Sequence, residues 1–197
     1  MNPAERFAAA IALFDEANSH DPNRTTVDGV QHPNELLYAR RMSEWLDRLE
    51  PNASEPLRLA ARSQHIGRWS IPRNTYPMDR PGYHKWRTEL GKFHAQAAGI
   101  LLQQVGYDAA TIARVSSLLR KEHLKDDPEM QTLEDVICLV FLESYFSDFA
   151  RKHDEEQLIR IIQRTWRKMS ERGHKAALEL PLSDADRKLI ETAIAAG

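Results

Sequence analysis

Leu133-Glu134-Asp135-Val136-Ile137-Cys138-Leu139-Val140-Phe141-Leu142-Glu143 holds the most apolar run of the chain. From Val136 to Leu142 a helix would be apolar on every side, the pattern of a central helix wrapped by others. That reading predicts a helix from Leu133 to about residue 151 and a helical fold around it. No stretch elsewhere shows the period-two alternation of a strand.

The flanking sequence agrees. Lys125-Asp126-Asp127-Pro128-Glu129 reads as the turn before the central helix. Upstream of it, Asp108 caps a helix that carries Ile112, Val115, Leu118 and Leu119 towards His123. A longer helix is expected from near Gly82 to about Val105, striped by Phe93, Ala97, Ile100 and Leu101 and closed by Gly106. Ser54 caps another, with Pro56 in its first turn, which runs into Gln64-His65. Helices at about 33–49 and 3–18 precede it, separated by a polar loop with Asp21-Pro22-Asn23 and Asp28-Gly29 turn signals. Downstream, Leu158, Ile161, Ile162, Trp166 and Met169 predict a helix over about 155–172, and a short one follows at 184–195. The expectation is one all-α domain over 1–197, a bundle of seven to eight helices.

The totals set bounds. A chain of 197 residues with 42% apolar and 28% charged residues suits a globular domain with a real core. It has no apolar run long enough for a membrane span, and Met1-Asn2-Pro3-Ala4-Glu5-Arg6 does not open like a signal peptide. Cys138 is the sole cysteine and is expected to be a buried thiol. These features predict a cytoplasmic protein without a membrane partner.

Between the helices lies Ser63-Gln64-His65-Ile66-Gly67-Arg68-Trp69-Ser70-Ile71-Pro72-Arg73-Asn74-Thr75-Tyr76-Pro77-Met78-Asp79-Arg80-Pro81-Gly82-Tyr83. Prolines and glycines break any helical pattern, while its aromatics argue against disorder. From Arg62 to Lys92 seven basic residues face two acidic ones, although the whole chain has a net charge of −2. A local positive island on an acidic protein suits a compact anion better than a long nucleic acid. Arg68, Arg73, Arg80 and Arg87 are candidates to grip phosphate or carboxylate, with Trp69, Tyr76, Tyr83 and Trp86 beside them to stack on a planar group. The plainer alternative is that Arg73 and Arg80 tie the loop down through its own carbonyls.

Three residues point to a centre beside this loop. Glu143 ends the apolar run, and a carboxylate there must be paired, hydrogen-bonded or metal-bound. His65 ends a helix where the loop begins, and His94 lies among small and apolar residues. Imidazole and carboxylate are the usual ligands of zinc, iron or manganese.

The order of these features resembles the HD-domain superfamily of helical metal-dependent phosphohydrolases, over a core of about 33–145. Leu59-Ala60-Ala61-Arg62-Ser63-Gln64-His65-Ile66-Gly67-Arg68 is similar to that superfamily's helix ending in His-Asp-Ile-Gly-Lys. Phe93-His94-Ala95-Gln96-Ala97-Ala98-Gly99-Ile100-Leu101 is similar to a later histidine-bearing helix, and Leu133 to Glu143 to the last one. Gln64-His65 stands where the His-Asp pair would be, and Glu143 where the closing aspartate would be. Glu35 lies nearest the place of the first histidine, with His32 the other choice. The resemblance implies a divalent metal (Mn, Fe or Zn) held by His65, His94, Glu143 and Glu35, or a lost metal whose space Lys121 or an arginine fills.

A closer resemblance, covering most of the chain, is to domain-of-unknown-function family 4202. It rests on Gln64-His65-Ile66-Gly67-Arg68-Trp69, Pro72-Arg73, Tyr76-Pro77, Trp86-Arg87, Phe93-His94-Ala95, Leu133-Glu134-Asp135-Val136 and Thr165-Trp166-Arg167-Lys168-Met169-Ser170. It implies no activity. The HD likeness implies hydrolysis of a small phosphorylated compound, a nucleotide among the candidates, with Gln64 or Lys121 orienting water or the leaving group. The competing expectations are an iron oxygenase and a non-catalytic module for an anionic ligand such as a nucleotide or RNA.

Overall fold

The computed structural model describes residues 1–123 and 126–196; within the turn expected at 125–129, Lys125 lies outside the described residues, as does Gly197 at the end of the chain. The central apolar run forms α6 (Pro128–Ser144), capped by the Asp127 carboxylate, which accepts from the backbone N–H groups of Glu129 and Met130. Its buried side chains include Met130, Leu133, Val136, Leu139 and Leu142. Around it stand α1 (Pro3–Ser19), α2 (Asn34–Leu49), α3 (Glu55–Ser63), α4 (Arg80–Gln104), α5 (Ala109–Leu119), α7 (Phe146–Ala150), α8 (Glu155–Trp166), α9 (Glu171–Leu178) and α10 (Asp184–Ala195). α2 and α9 pack along α6, and α5 packs on both α3 and α4. One continuous core runs through the bundle, from Phe14, Met42 and Leu57 to Leu118, Leu139 and Phe146. The chain is an all-α single domain, and among the described residues no helix is long and apolar enough to cross a membrane. Cys138 is buried, and burial pushes its thiol pKa up to about 12.

Among the described residues the seven to eight expected helices become ten α-helices, because two long ones break. The central helix stops at Ser144 instead of residue 151. Tyr145 leaves the helical region (φ −129°), and the chain bends so that Phe146 enters the core in the short α7. The helix expected over 155–172 stops at Trp166. Asp135, buried on α6, accepts from both the backbone N–H and the hydroxyl of Ser170, at 2.8 and 2.5 Å. That anchor draws the chain out of helix, and Ser170 then caps the separate α9.

The polar loop ahead of α2 also differs from expectation, since it folds into a two-stranded antiparallel hairpin, β1 (Arg24–Val27) and β2 (Val30–Pro33). Asp28 and Gly29 form its turn, both with positive φ (50° and 79°), as a tight two-residue hairpin turn requires. Four-residue strands without an apolar face carry no alternation to read. The hairpin sets the entry to α2. Asp21, buried at its base, accepts from Asn23 N–H (2.9 Å) and from Glu35 N–H (3.0 Å), supplying the cap that Pro33 does not.

The arginine loop is ordered. It contains two short 3-10 turns, Arg68–Ser70 and Arg73–Thr75, before Asp79 caps α4. Trp86 on α4 donates its indole N–H to the Ile71 carbonyl (2.9 Å), and Arg73 donates to the carbonyls of Tyr76 (3.1 Å) and Asp79 (3.2 Å). Gly82 lets the loop close, because a Cβ there would meet the Pro77 carbonyl oxygen at 2.1 Å. Gly82→Ala is therefore expected to cost about 2–3 kcal/mol through forced displacement of backbone. Gly99→Ala, whose Cβ would meet only Ile112 at an ordinary 3.4 Å, should be neutral or stabilising by up to about 1 kcal/mol. Urea denaturation of the two variants checks the contrast.

Candidate functional site

His65 stands at the end of α3, stacked on Tyr38 of α2 with ring centroids 3.9 Å apart. Arg68 reaches back to place Nη1 3.0 Å from His65 Nε2. A guanidinium can only donate, so Nε2 must accept. The ring proton therefore sits on Nδ1, which donates to Glu35 Oε2 at 3.2 Å. Arg68 Nε lies 3.8 Å from the other Glu35 oxygen, and its guanidinium packs over the Trp86 ring at 4.9 Å. Glu35, His65 and Arg68 thus form a closed polar chain. Burial, reinforced by the Arg68 charge, keeps the His65 pKa well below the ordinary imidazole range. Burial raises the Glu35 pKa to about 7, with Arg68 opposing the rise and Asp21 adding to it.

His94 is the inner histidine, its ring 6.0 Å from that of His65. Its Nδ1 donates to the Ile66 carbonyl at 2.8 Å, leaving the lone pair on Nε2. That atom is buried and has no hydrogen-bond partner among the described residues. Burial, with the nearby Arg68 and Arg87 charges, lowers the His94 pKa to about 4, so the ring is neutral at pH 7.

Both histidines border a pocket of about 390 Å³ between the end of α3, one face of α4 and the turn after α5. His84, Arg87, Gly91 and His94 fall at helical spacing along that face. Gly91 keeps α4 close to the end of α5: a Cβ there would lie 3.3 Å from the Leu119 carbonyl oxygen. Five cations, Arg68, Arg87, Lys92, Arg120 and Lys121, border the pocket, against the single carboxylate of Glu122. Most are held by acids: Lys92 by Glu89 (2.9 Å), Arg120 by Glu122 (3.2 Å), and Lys121 by Glu134 of α6. Burial works against the Glu134 charge, yet Lys121 and Lys168 keep its pKa below the usual carboxylate range. Lys121 adopts a left-handed backbone (φ 56°), a costly conformation for a residue with a side chain. Arg87 has no ion-pair partner among the described residues.

The residues singled out in the sequence divide into two groups. Gln64, His65, Arg68, Arg87, His94 and Lys121 border the pocket, and Glu35 stands behind His65. Glu143 does not join them. Its Oε2 accepts from Trp45 Nε1 (2.6 Å), and Arg48 lies 3.5 Å from Oε1. Trp45 is ten residues along α2 from Glu35, about 15 Å at the helical rise. Arg73 braces its own loop, as the plainer reading had it, and Arg80 is exposed in the first turn of α4. Trp69 and Tyr76 are half-buried and do not border the pocket.

The expected metal set must be corrected accordingly. Transition metals bound by imidazole and carboxylate take three or more protein ligands. Here Glu143 is elsewhere, His65 is engaged at both nitrogens, and of the two histidines only His94 has a ring nitrogen without a partner among the described residues. Among the described residues no group of three or more His, Cys, Asp or Glu side chains could hold a metal ion. Arg68 fills the position that a metal on His65 Nε2 would take. Lys92, Arg120, Glu134 and Tyr38 were not singled out beforehand. Glu134 carried the same signal as Glu143, an acid inside the central run, while Tyr38 carried none.

Opposite pH dependences follow for Glu35 and His94. Unfolded, His94 returns to its ordinary pKa of 6.5, so its contribution to stability is complete above that pH and is lost as pH falls towards 4, on the order of 3 kcal/mol. Glu35 has the opposite sign: its contribution is complete below pH 4.5 and is lost as pH rises through about 7. His94→Gln should therefore lose less stability than the parent on acidification from pH 7 to 4. Glu35→Gln should lose less on the rise from pH 4.5 to 7.5. Urea melts across this range measure both differences.

No curated protein and no solved structure matches the chain. The profile of the family described as Domain of unknown function (DUF4202) matches residues 8–190, nearly the whole length. The chain belongs to that family.

Proposed function

We propose that this protein binds a small phosphorylated compound in the pocket beside His94. The observation that carries the reading is Arg87, a guanidinium at the pocket wall with no ion-pair partner among the described residues, where four other cations also converge. The fork of an arginine matches two phosphate oxygens at once. A volume of about 390 Å³ admits a compact ligand and not a polymer, which favours a small molecule over RNA.

The hydrolytic version of this reading has one observation in its favour. The Nε2 lone pair of His94, a residue that borders the pocket, is buried without a hydrogen-bond partner among the described residues, and the ring is neutral at pH 7. There it would take a proton from water as the water oxygen bonds to phosphorus and the phosphorus–oxygen bond to the leaving group breaks. The resemblance of the sequence motifs to those of HD-domain proteins favours hydrolysis in general, but the donor geometry favours neither its metal nor an iron oxygenase.

Pyrophosphate is a suitable first probe. Calorimetric titration should detect binding that weakens as sodium chloride rises from about 50 to 200 mM, because screening reaches these partly exposed charges. Arg87→Gln should weaken it by about tenfold or more. No binding to the parent, or equal binding to parent and variant, would overturn the reading. A screen of phosphoesters for released phosphate separates the hydrolytic version from simple binding.

A further inference from the structure

Resting on the anion-pocket reading, the turn that closes α5 narrows both the ligand and the way it is held. The backbone N–H groups of Lys121 and Glu122 donate to the carbonyls of Leu118 (3.1 Å) and Ser117 (3.0 Å). In this paired closure of a helix C-terminus, the residue in the place of Lys121 takes a left-handed backbone and is usually glycine. The end of α4 follows that rule. There Gly106 has φ 81°, and the N–H groups of Gly106 and Tyr107 donate to the carbonyls of Gln103 and Leu102, both at 3.1 Å. At the end of α5 the same position holds Lys121 at φ 56°, where a Cβ crowds its own backbone.

The partner of Lys121 adds a second cost. Its Nζ donates to Oε2 of Glu134, a side chain only 3% exposed on the central helix, and Lys168 lies 3.7 Å from Oε1. A buried ion pair of this kind is seldom more stable than apolar side chains of similar size. Backbone strain and desolvation therefore converge on one ammonium that the fold does not need. Its side chain borders the pocket and is 25% exposed, and Glu134 accepts one of its three donors. Burial and the like charge of nearby Arg87 push the Lys121 pKa down, against the pull of Glu134, so an anion beside both cations would relieve their repulsion.

The count of phosphate oxygens then selects the ligand. An arginine fork takes two oxygens of one phosphate, and an ammonium on the same group needs a third. A phosphomonoester has three free oxygens, whereas a phosphodiester has two. We infer that Arg87 and Lys121 together hold the phosphoryl group of a monoester, not a diester, and that Glu134 is the positioning residue for the Lys121 ammonium.

Phenyl phosphate and methyl phenyl phosphate compare a monoester with a diester of similar size, and pyrophosphate reports the anion pocket by itself. Calorimetric titration of the full chain should show the monoester bound tighter by about tenfold or more. The double variant Lys121→Gly/Glu134→Leu removes the strain and the buried pair together. It should unfold at an equal or higher urea concentration than the parent, yet lose most of the preference for the monoester. Glu134→Gln keeps Lys121 but deletes a negative charge near the site. A purely electrostatic role for Glu134 would make that variant bind the monoester more tightly; a positioning role makes it bind severalfold more weakly. Equal binding of the two esters by the parent, or an unchanged preference in the double variant, would overturn the inference. So would a lower urea midpoint for the double variant, or tighter monoester binding by Glu134→Gln. In each of those cases pyrophosphate binding that depends on Arg87 would leave the anion pocket standing, whereas failure of pyrophosphate to bind the parent would remove the pocket and the inference together.

Discussion

The hydrogen bond from His94 Nδ1 to the carbonyl of Ile66 ties the longest helix, α4, to the chain leaving α3. It fixes three things at once. The Ile66 carbonyl, just past the end of a helix and buried, receives the donor it needs. The chain is then held where Gly67 can turn with positive φ and donate to the buried Asn18 side chain. The proton on His94 is committed to Nδ1, so the lone pair of Nε2 is left without a partner among the described residues. Structural and chemical demands are met by opposite nitrogens of one ring.

The electrostatics around that ring follow a consistent pattern. The buried or half-buried acids nearest it have cationic or N–H partners, as in Glu35 with His65 and Arg68, or Glu134 with Lys121. Such pairs contribute little net stability once desolvation is counted, but removing one partner is expensive. They therefore hold the cations in place without neutralising the pocket as a whole. The bundle supports that cost through the apolar packing of α6 against its neighbours, where hydrophobic burial dominates.

The contrast between Glu143 and Glu134 explains where the metal expectation failed. Both are acids within the central run, nine residues apart on α6. Residues so spaced lie two and a half turns apart, on opposite sides of a helix. Glu143 meets Trp45 and Arg48 on α2, while Glu134 meets Lys121 near the pocket. An interior carboxylate was a sound signal of a needed partner. Which partner it finds depends on the face of the helix and on the neighbour packed there.

The sequence by itself determined the helical class, because apolar spacing, capping residues such as Ser54, Asp108 and Ser183, and the run Val136 to Leu142 are local signals. It also marked the basic island and six of the residues that border the pocket, since charge density and helix-end histidines are visible along the chain. Only the tertiary structure decided the breaks at Tyr145 and Ser170, which depend on Phe146 entering the core and on an aspartate 35 residues earlier. Only it placed Arg68 on His65 and left His94 Nε2 without a partner. Hydrogen-bond partners are chosen by the packing of distant segments, and a linear pattern does not record which nitrogen of an imidazole faces which neighbour.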